Sequence, residues 1–369
     1  MPNYRHFVAG LLLLAMLVHP VSAESLKLLD PQHQVHRLQT VIPELSRQRV
    51  VFIGEHHDRY HHHLAQKTVI AALHDAAERP WAIGVEFIQQ PFQPVLDAYL
   101  AKELDETEFL AQSEYFERWR FDYRLYQPIF RYAREHGIPM VALNIASELI
   151  DAVRQQGLDG LSAEQRAQLP QDFLPVSEQR RTELEQIYRY HPQTSGDFER
   201  FLLIQQLWDA GMAERAAQYL QAHPEHGLIV LAGSGHMAPG SGIPQYVRPI
   251  MDVPMQILLP VDAVEPGAVH GADYLLLAES LDLPPAGRMG VQLDFNGGAY
   301  ILDVLADSAA AHAGLQVGDQ ILSIDEKPVT TWTDVRLALL NRSPGDEMTV
   351  TLQRVDAVDP LTLTLILSG

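Results

Sequence analysis

The chain has 369 residues and no cysteine, which excludes disulfide bonds, thiolate metal sites and a cysteine nucleophile. Its 47 acidic and 27 basic side chains give a formal net charge of −20. Nucleic acid binding through a general basic face is therefore not expected, because neutralising phosphates needs clustered Lys and Arg. The chain is longer than a single domain with one hydrophobic core usually is, and this length predicts two domains.

Residues 1–23 have the pattern of a signal peptide. Arg5 precedes an apolar run from Phe7 to Val18, and the segment ends in the small-x-small pattern Val21-Ser22-Ala23. The run is shorter than the roughly 20 residues that span a bilayer. Since no cysteine can carry a lipid, we expect cleavage after Ala23 to release a soluble chain, not a lipoprotein, into the periplasm or beyond.

Five short apolar runs recur between amphipathic helical stretches. They are Val50 to Ile53, Ala82 to Phe87, Met140 to Leu143, Leu228 to Ala232 and Met255 to Leu259. Each is predominantly apolar and does not alternate, which indicates strands buried on both faces. The pattern predicts an α/β domain at 24–277, with a mainly parallel sheet flanked by helices.

The gaps around the third strand are longer than one crossover helix requires, and they predict a helical lid over about 97–225. This span is rich in aromatic residues, including Tyr115, Trp119, Tyr123 and Tyr126. Core packing explains most of them, although a flat apolar ligand would also use such a lid. Gln206 and the pair Trp208-Asp209 are assigned to packing between the lid and the sheet.

Two Gly-x-x-His turns follow predicted strands. One is Gly54-Glu55-His56-His57 and the other is Gly233-Ser234-Gly235-His236, while Glu86 lies near the end of a further strand. Open α/β sheets place their sites at these carboxyl ends. Glu55, His57, Glu86 and His236 would supply two carboxylates and two imidazoles, which suits a divalent metal or acid–base catalysis. Glu86 has a structural alternative, as a helix cap or the partner of an arginine.

These paired turns resemble the Tiki superfamily, and the similarity to its ChaN-like branch extends over roughly residues 35–262. Supporting blocks are Ile53 to Asp58, Gly84 to Phe87, Gln93 with Asp97, Ala142 to Asn144, Gln206 to Met212 and Ala232 to Met237. The resemblance implies haem binding and a role in haem or iron uptake. A planar ligand can also bind between two copies of the chain, so a homo-oligomer stays open.

Haem iron requires an axial donor such as His or Tyr. A phenolate would suit ferric haem held for transport, and Tyr60, Tyr123 and Tyr126 are the candidate ligands. His57 and His63 are retained because the family pattern places histidines at both positions. The other histidines of this run, His61 and His62 among them, are expected to be mostly solvated.

Two other functions stay open. The first is a metal-dependent, peptidase-like hydrolase of the Tiki superfamily that uses Glu55, His57, Glu86 and His236. The second is an adaptor without catalysis. A serine hydrolase is disfavoured, since Ser234 lacks the Gly-x-Ser-x-Gly elbow. The chain also lacks a phosphate-binding loop with a lysine and a His-Glu-x-x-His helix.

After a predicted linker at 278–287, which contains Pro284-Pro285, the pattern changes to short alternating strands. They are predicted at Gly290 to Phe295, Ala299 to Val304, Gln320 to Ile324, Met348 to Arg354 and Leu361 to Leu367, with a helix near Trp332 to Asn341. Residues 288–369 are therefore predicted to form a small α+β or partly open barrel domain.

The segment from Ser308 to Ile324 resembles the bacterial PDZ signature. Gly314 and Gly318 flank Leu315 at its turns, and Ala309 replaces the familiar proline. The resemblance implies that a partner's C-terminal peptide adds to a sheet edge, with its carboxylate on a glycine loop. Met289, Gly290 and Val291 would form this site. The alternative is a module that binds only its own N-terminal domain.

Overall fold

The computed structural model describes residues 26–190, 197–237, 242–262, 271–295 and 298–369. The predicted signal peptide lies outside these residues. Within the described ranges, no helix has both the length and the apolar character needed to cross a membrane. The chain forms an α/β domain followed by a smaller domain built on antiparallel strands.

The first domain is built on one eight-stranded sheet. Its strands are β1 (Lys27–Leu29), β2 (Val35–Arg37), β3 (Val50–Ile53), β4 (Trp81–Gln89), β5 (Met140–Asn144), β6 (Gly227–Leu231), β7 (Met255–Val261) and β8 (Tyr274–Leu277). Their spatial order is β2-β1-β8-β7-β3-β6-β4-β5, and the run from β8 to β5 is parallel. The five predicted strands are all present. The short strands β1, β2 and β8, which extend one edge, were not predicted.

Helices cover both faces of this sheet, as predicted. They are α1 (Leu38–Leu45), α2 (Tyr60–Ala76), α3 (Gln93–Leu100), α4 (Glu106–Gln112), α5 (Tyr115–Arg118), α6 (Gln127–His136), α7 (Ser147–Gln156), α8 (Ala163–Ala167), α9 (Glu178–Tyr190), α10 (Phe198–Ala222) and α11 (Ile243–Ile250). Successive strand residues point to opposite faces. Val51 and Ile53 therefore join one core, and Val50 and Phe52 join the other. Burial on both faces explains why these strands are predominantly apolar without alternation.

The range predicted as a helical lid, 97–225, is not one insertion. Strand β5 lies within it and pairs with β4 at the edge of the sheet. Helix α10 packs against the sheet through buried Ala210, Met212 and Ala213, so it is a layer helix and not a cover. The shorter helices and loops between β4 and β5, and between β5 and α10, can form walls of a site beside the sheet and α10.

The second domain has its own core. Its elements are β9 (Val291–Leu293), β10 (Ile301–Val304), α12 (Ala309–Ala313), β11 (Gln320–Ile324), β12 (Lys327–Pro328), α13 (Trp332–Leu339), β13 (Glu347–Gln353) and β14 (Leu361–Ile366). Strands β9 and β10 pair antiparallel, and a second sheet has the order β12-β11-β13-β14. A capping box between Thr331 and Asp334 begins α13. The predicted strands and helix are present, and β12 is additional.

The two domains touch through α5, α6 and the connecting segment. Ala278 and Leu283 of that segment pack against the first core, and the Arg124 guanidinium donates to the Pro284 carbonyl at 2.9 Å. The Thr333 hydroxyl at the start of α13 donates to the Glu117 carboxylate. The second domain therefore lies against α4 and the segment that follows it.

Candidate functional site

The two Gly-x-x-His turns lie side by side at the carboxyl ends of two central strands of the sheet. Strands β3 and β6 are parallel neighbours, and β4 lies on the other side of β6. Their carboxyl ends therefore deliver Glu55, His57, Glu86 and His236 to a common region. The structure brings these four residues together as two groups. In each group an imidazole lies within contact distance of a buried carboxylate.

The first group is centred on the Glu55 carboxylate, which is fully buried. His57 Nδ1 donates to its Oε1 at 2.7 Å, and the Tyr126 hydroxyl donates to the same oxygen at 3.0 Å. His63 Nδ1 lies 3.1 Å from Oε2. Burial alone would raise the pKa of Glu55, but His63 and His57 outweigh it and hold the pKa well below its usual range. Glu55 is therefore an anion that fixes the orientation of His57.

His57 is the exposed member of this group, with 29% of its side chain accessible. Burial would lower the pKa of His57, but the hydrogen bond to Glu55 and the charge of Glu86 raise it. Since Nδ1 is bonded to Glu55, Nε2 is the nitrogen left for a ligand. In the part of the chain that the structure describes, no hydrogen bond to Nε2 is present.

The second group is centred on His236. Its Nδ1 donates to Asp209 Oδ1 at 2.6 Å, and its Nε2 lies 3.3 Å from Glu86 Oε1. Glu86 Oε2 accepts the Gly233 backbone N–H at 2.7 Å. Burial opposes charge on the ring, yet Glu86 and Asp209 raise the pKa of His236 to about 10. His236 is therefore an imidazolium with both nitrogens engaged.

Asp209 is a site residue that the sequence analysis assigned to packing. It lies on α10 between buried Leu207 and Ala210, where it is itself buried. A carboxylate on the apolar face of a helix needs a charged partner. An acidic residue at an apolar position of the helix was therefore the feature of the sequence that could have identified Asp209 as a site residue. Gln206 does have the predicted packing role, and its side chain donates to the Leu174 carbonyl at 2.8 Å.

A cavity of about 630 Å³ opens in front of both groups. Its lining includes His57, Glu86, His236, Phe87, Trp119, Phe121, Trp208, Arg118, Arg120 and Arg154. A second cavity, of about 410 Å³, adjoins it, and His57 and Phe121 line both. The rings of Trp119 and Phe121 lie 4.9 and 5.0 Å from the His57 ring. His57 therefore packs against an aromatic pair, whose own ring centroids are 5.6 Å apart, at the junction of two cavities.

The predicted tyrosine ligands do not reach these cavities. The Tyr123 hydroxyl donates to Glu106 and that of Tyr126 to Glu55, and both rings are fully buried. Burial raises the pKa of each phenol well above its ordinary value, which disfavours a phenolate. Tyr60 is partly buried against the core and lines neither cavity, and His63 is fully buried. The number of aromatic residues in this span did not show which of them belong to the core and which line a cavity.

The expectation that His61 and His62 are solvated is wrong. Both are buried, and each has Nε2 near Asp262 Oδ1, at 2.7 and 3.1 Å. His62 Nδ1 accepts the His56 backbone N–H, so Nε2 carries the proton and donates. Burial lowers the pKa of His62 to about 4. Its nitrogen lone pairs are thus not free for a metal, although the three side chains lie close together.

The predicted metal set also fits a metal poorly. Within the described ranges, only two groups of three or more His or acidic residues bring their donor atoms within 4.8 Å of one another. They are His61-His62-Asp262 and His223-Glu225-His226, and neither includes His57 or His236. His236 has both nitrogens engaged by carboxylates. This geometry suits an imidazolium held between two carboxylates better than it suits coordination of a metal.

Gly233 lies against His57, whereas Gly235 does not touch the ring. A Cβ at 233 would lie 2.9 Å from Cε1 and 3.1 Å from Nε2 of His57, but the atom nearest to a Cβ at 235 is 3.9 Å away. Gly233→Ala is therefore expected to displace His57 and to lower the free energy of unfolding by about 1–3 kcal/mol. The matched variant Gly235→Ala should change it by less than about 0.5 kcal/mol.

Urea unfolding and the NMR chemical shift of the His57 Cε1 proton measure these two effects. The shift should move in Gly233→Ala and stay unchanged in Gly235→Ala. Equal stability and equal spectra for the two variants would contradict the close packing of Gly233 on His57.

The predicted peptide-binding residues Met289, Gly290 and Val291 line a groove of about 420 Å³ in the second domain. Gly290 has φ of +80°, and a Cβ there would lie 2.3 Å from Ser308 Cβ, so only glycine fits. The backbone N–H groups of Met289 and Gly290 donate to no acceptor in the described ranges. They are available to a carboxylate.

Comparison with known proteins identifies both domains. The sequence model of a family described as haem-binding uptake, Tiki superfamily, ChaN matches residues 41–247, and that of the PDZ domain matches 287–365. A solved structure of ChaN from Campylobacter jejuni, described as binding haem cofacially, is 18% identical. Its TM-score is 0.56, over 69% of this chain and 97% of that one.

Two curated relatives are Escherichia coli proteases. The regulator of sigma-E protease RseP is 39% identical over 64 residues, which is 17% of this chain and 14% of RseP. The periplasmic serine endoprotease DegP is 32% identical over 91 residues, 25% of this chain and 19% of DegP. Each match spans less than a fifth of the protease, and the likeness is that of a PDZ domain.

Proposed function

This chain belongs to the ChaN family of haem-binding uptake proteins in the Tiki superfamily, and we propose that it is an exported protein that binds haem for haem or iron uptake. Its PDZ domain, in this proposal, takes the C-terminal peptide of a partner protein. Export rests on the signal-peptide pattern of residues 1–23, which predicts release into the periplasm or beyond. The observation that carries the haem proposal is His57, which lines both cavities beside Trp119 and Phe121 and whose Nε2 makes no hydrogen bond among the described residues.

The larger cavity has the chemistry that a porphyrin needs. Its volume of about 630 Å³ lies within the usual range of about 300–1,000 Å³ for small-molecule sites. Phe87, Trp119 and Trp208 provide apolar walls, and Arg120 is exposed there without an ion-pair partner among the described residues. Arg120 would hold a propionate, since guanidinium binds carboxylate well.

His57 is the residue that would bind the iron. Its Nδ1–H is fixed on Glu55, so Nε2, once deprotonated, would be the donor atom. A carboxylate on the second nitrogen orients a ligating histidine and increases its basicity. Bound iron would be held for transfer. The imidazolium of His236 and the carboxylates around it supply the polar end of the cavity.

A hydrolase is the second candidate, and the two imidazole–carboxylate groups facing one cavity favour it. In that case His57, oriented by Glu55, would act as the general base. The metal-dependent form of this candidate has less support, because His236 offers no free nitrogen. A hydrolase of this kind would retain its turnover in the presence of EDTA.

Titration of residues 24–369 with haemin tests the proposal. We expect a saturable Soret shift, and the plateau gives the number of haems per chain, one or two. Absence of any saturable shift would overturn the haem proposal and leave the hydrolase. Analysis by gel filtration with and without haemin would show whether haem joins two copies of the chain.

A further inference from the structure

The peptide groove is bordered by both domains. On one side are Met289 and Val291, and on the other Val335 and Leu339 of α13. Phe116, Asp122 and Arg124 of the first domain line the same 420 Å³ space. Strand β9 pairs only with β10 among the described strands, so its second edge is open to an added strand. The first domain therefore borders the groove without filling it.

Two exposed guanidinium groups at this groove have no carboxylate partner within the described ranges. They belong to Arg288, beside the loop that would bind a terminal carboxylate, and Arg336 on α13. They create a positive field that attracts an anionic ligand.

Aromatic rings hold Arg336 in place. Its guanidinium lies 5.0 Å from the ring centroid of Phe116 in the first domain and 5.9 Å from that of Trp332. A cation–π contact positions the charge and does not neutralise it. Arg124 differs, because Asp122 pairs with it at 2.6 Å and its Nη1 donates to the Pro284 carbonyl. Arg124 is thus neutralised by its own carboxylate partner, whereas Arg336, like Arg288 beside the glycine loop, stays available to a ligand.

From this arrangement, and resting on the peptide binding in the proposed function, we propose that the groove selects C-terminal peptides with an acidic residue upstream of an apolar last residue. Arg336, held on Phe116 of the first domain, makes this selection. The apolar last residue would lie on Met289, Val291 and Leu339. The specificity of the second domain then depends on a residue of the first.

Fluorescence anisotropy with two labelled peptides tests this. The peptides are Gly-Ser-Gly-Glu-Glu-Val-Val and Gly-Ser-Gly-Gln-Gln-Val-Val, each with a free carboxyl group, titrated with residues 24–369. We expect the Glu peptide to bind about threefold to tenfold more tightly, as for one partly exposed ion pair. The preference should shrink in about 0.5 M NaCl, where charges are screened.

Variants separate Arg336 from the general charge of the domain. In Arg336→Gln the two peptides should bind equally, whereas Lys327→Gln, which removes an exposed charge outside the groove, should keep the preference. Phe116→Leu, which keeps apolar volume but removes the ring, should reduce it. Far-UV circular dichroism confirms that each variant folds.

Two outcomes would overturn the inference alone, namely equal affinities in the wild type or a preference that survives Arg336→Gln. If neither peptide binds, the peptide-binding part of the proposed function is overturned as well. The haemin titration is independent of both outcomes.

Discussion

Replacing His57 with alanine is expected to weaken haemin binding by at least about a hundredfold and to remove the Soret band of the wild-type complex. Even changes in groups that only support a metal ligand cost about 10–100-fold in affinity, so loss of the donor itself should cost more. Absorption titration of residues 24–369 measures this. Added imidazole should restore part of the band, because a small donor can enter the space that the missing ring leaves.

Two matched variants serve as controls. His56→Ala removes the neighbouring exposed histidine, and Tyr123→Phe removes a hydroxyl first expected to bind iron. Both should retain the wild-type spectrum and affinity to within about threefold, since neither side chain lines the larger cavity. Tyr126→Phe should weaken binding by less than His57→Ala does, because its hydroxyl supports His57 only through Glu55. Loss of the Soret band in a tyrosine variant, with His57→Ala unaffected, would refute His57 as the ligand.

The stability of the first domain is expected to fall as the pH rises from 7 to 10. The pKa of His236 is about 10 in the folded chain and 6.5 in its ordinary state, so its contribution is complete below pH 6.5. That contribution is lost as the pH rises through the folded value, because the ring then gives up the proton shared with Asp209 and Glu86. The expected loss is on the order of 2–4 kcal/mol.

Urea unfolding followed by tryptophan fluorescence at pH 6.5, 8 and 10 measures this loss, with His236→Gln beside the wild type. The variant should be less stable by about 3–5 kcal/mol at pH 6.5, because two buried carboxylates lose their cation. The difference between the two proteins should narrow toward pH 10, which separates His236 from other groups that titrate there. His223→Gln, at a more exposed histidine, should track the wild type. Parallel curves for wild type and His236→Gln would refute the assignment.

Local patterns in the sequence determined the architecture. A run such as Val50–Ile53 is apolar on both faces, and this property predicts a parallel strand between helices without knowledge of its neighbours. The two Gly-x-x-His turns likewise placed His57 and His236 at strand ends. The PDZ signature from Ser308 onward placed the second domain and its glycine loop. Each of these inferences depends on residues within about 20 positions of one another.

Only the tertiary structure decided which side chains share a site. Asp209 on α10 accepts a hydrogen bond from His236, which lies 27 positions later in the chain. Tyr126 donates to Glu55, from which it is separated by 71 positions. Phe116 supports Arg336 from a different domain. Burial also depends on contacts between distant segments. His61 and His62 are buried by tertiary packing, which their neighbours in the sequence do not predict. The sequence determines which groups stand at the strand ends, but partners and exposure follow from contacts between distant segments, because close packing joins residues without regard to their order in the chain.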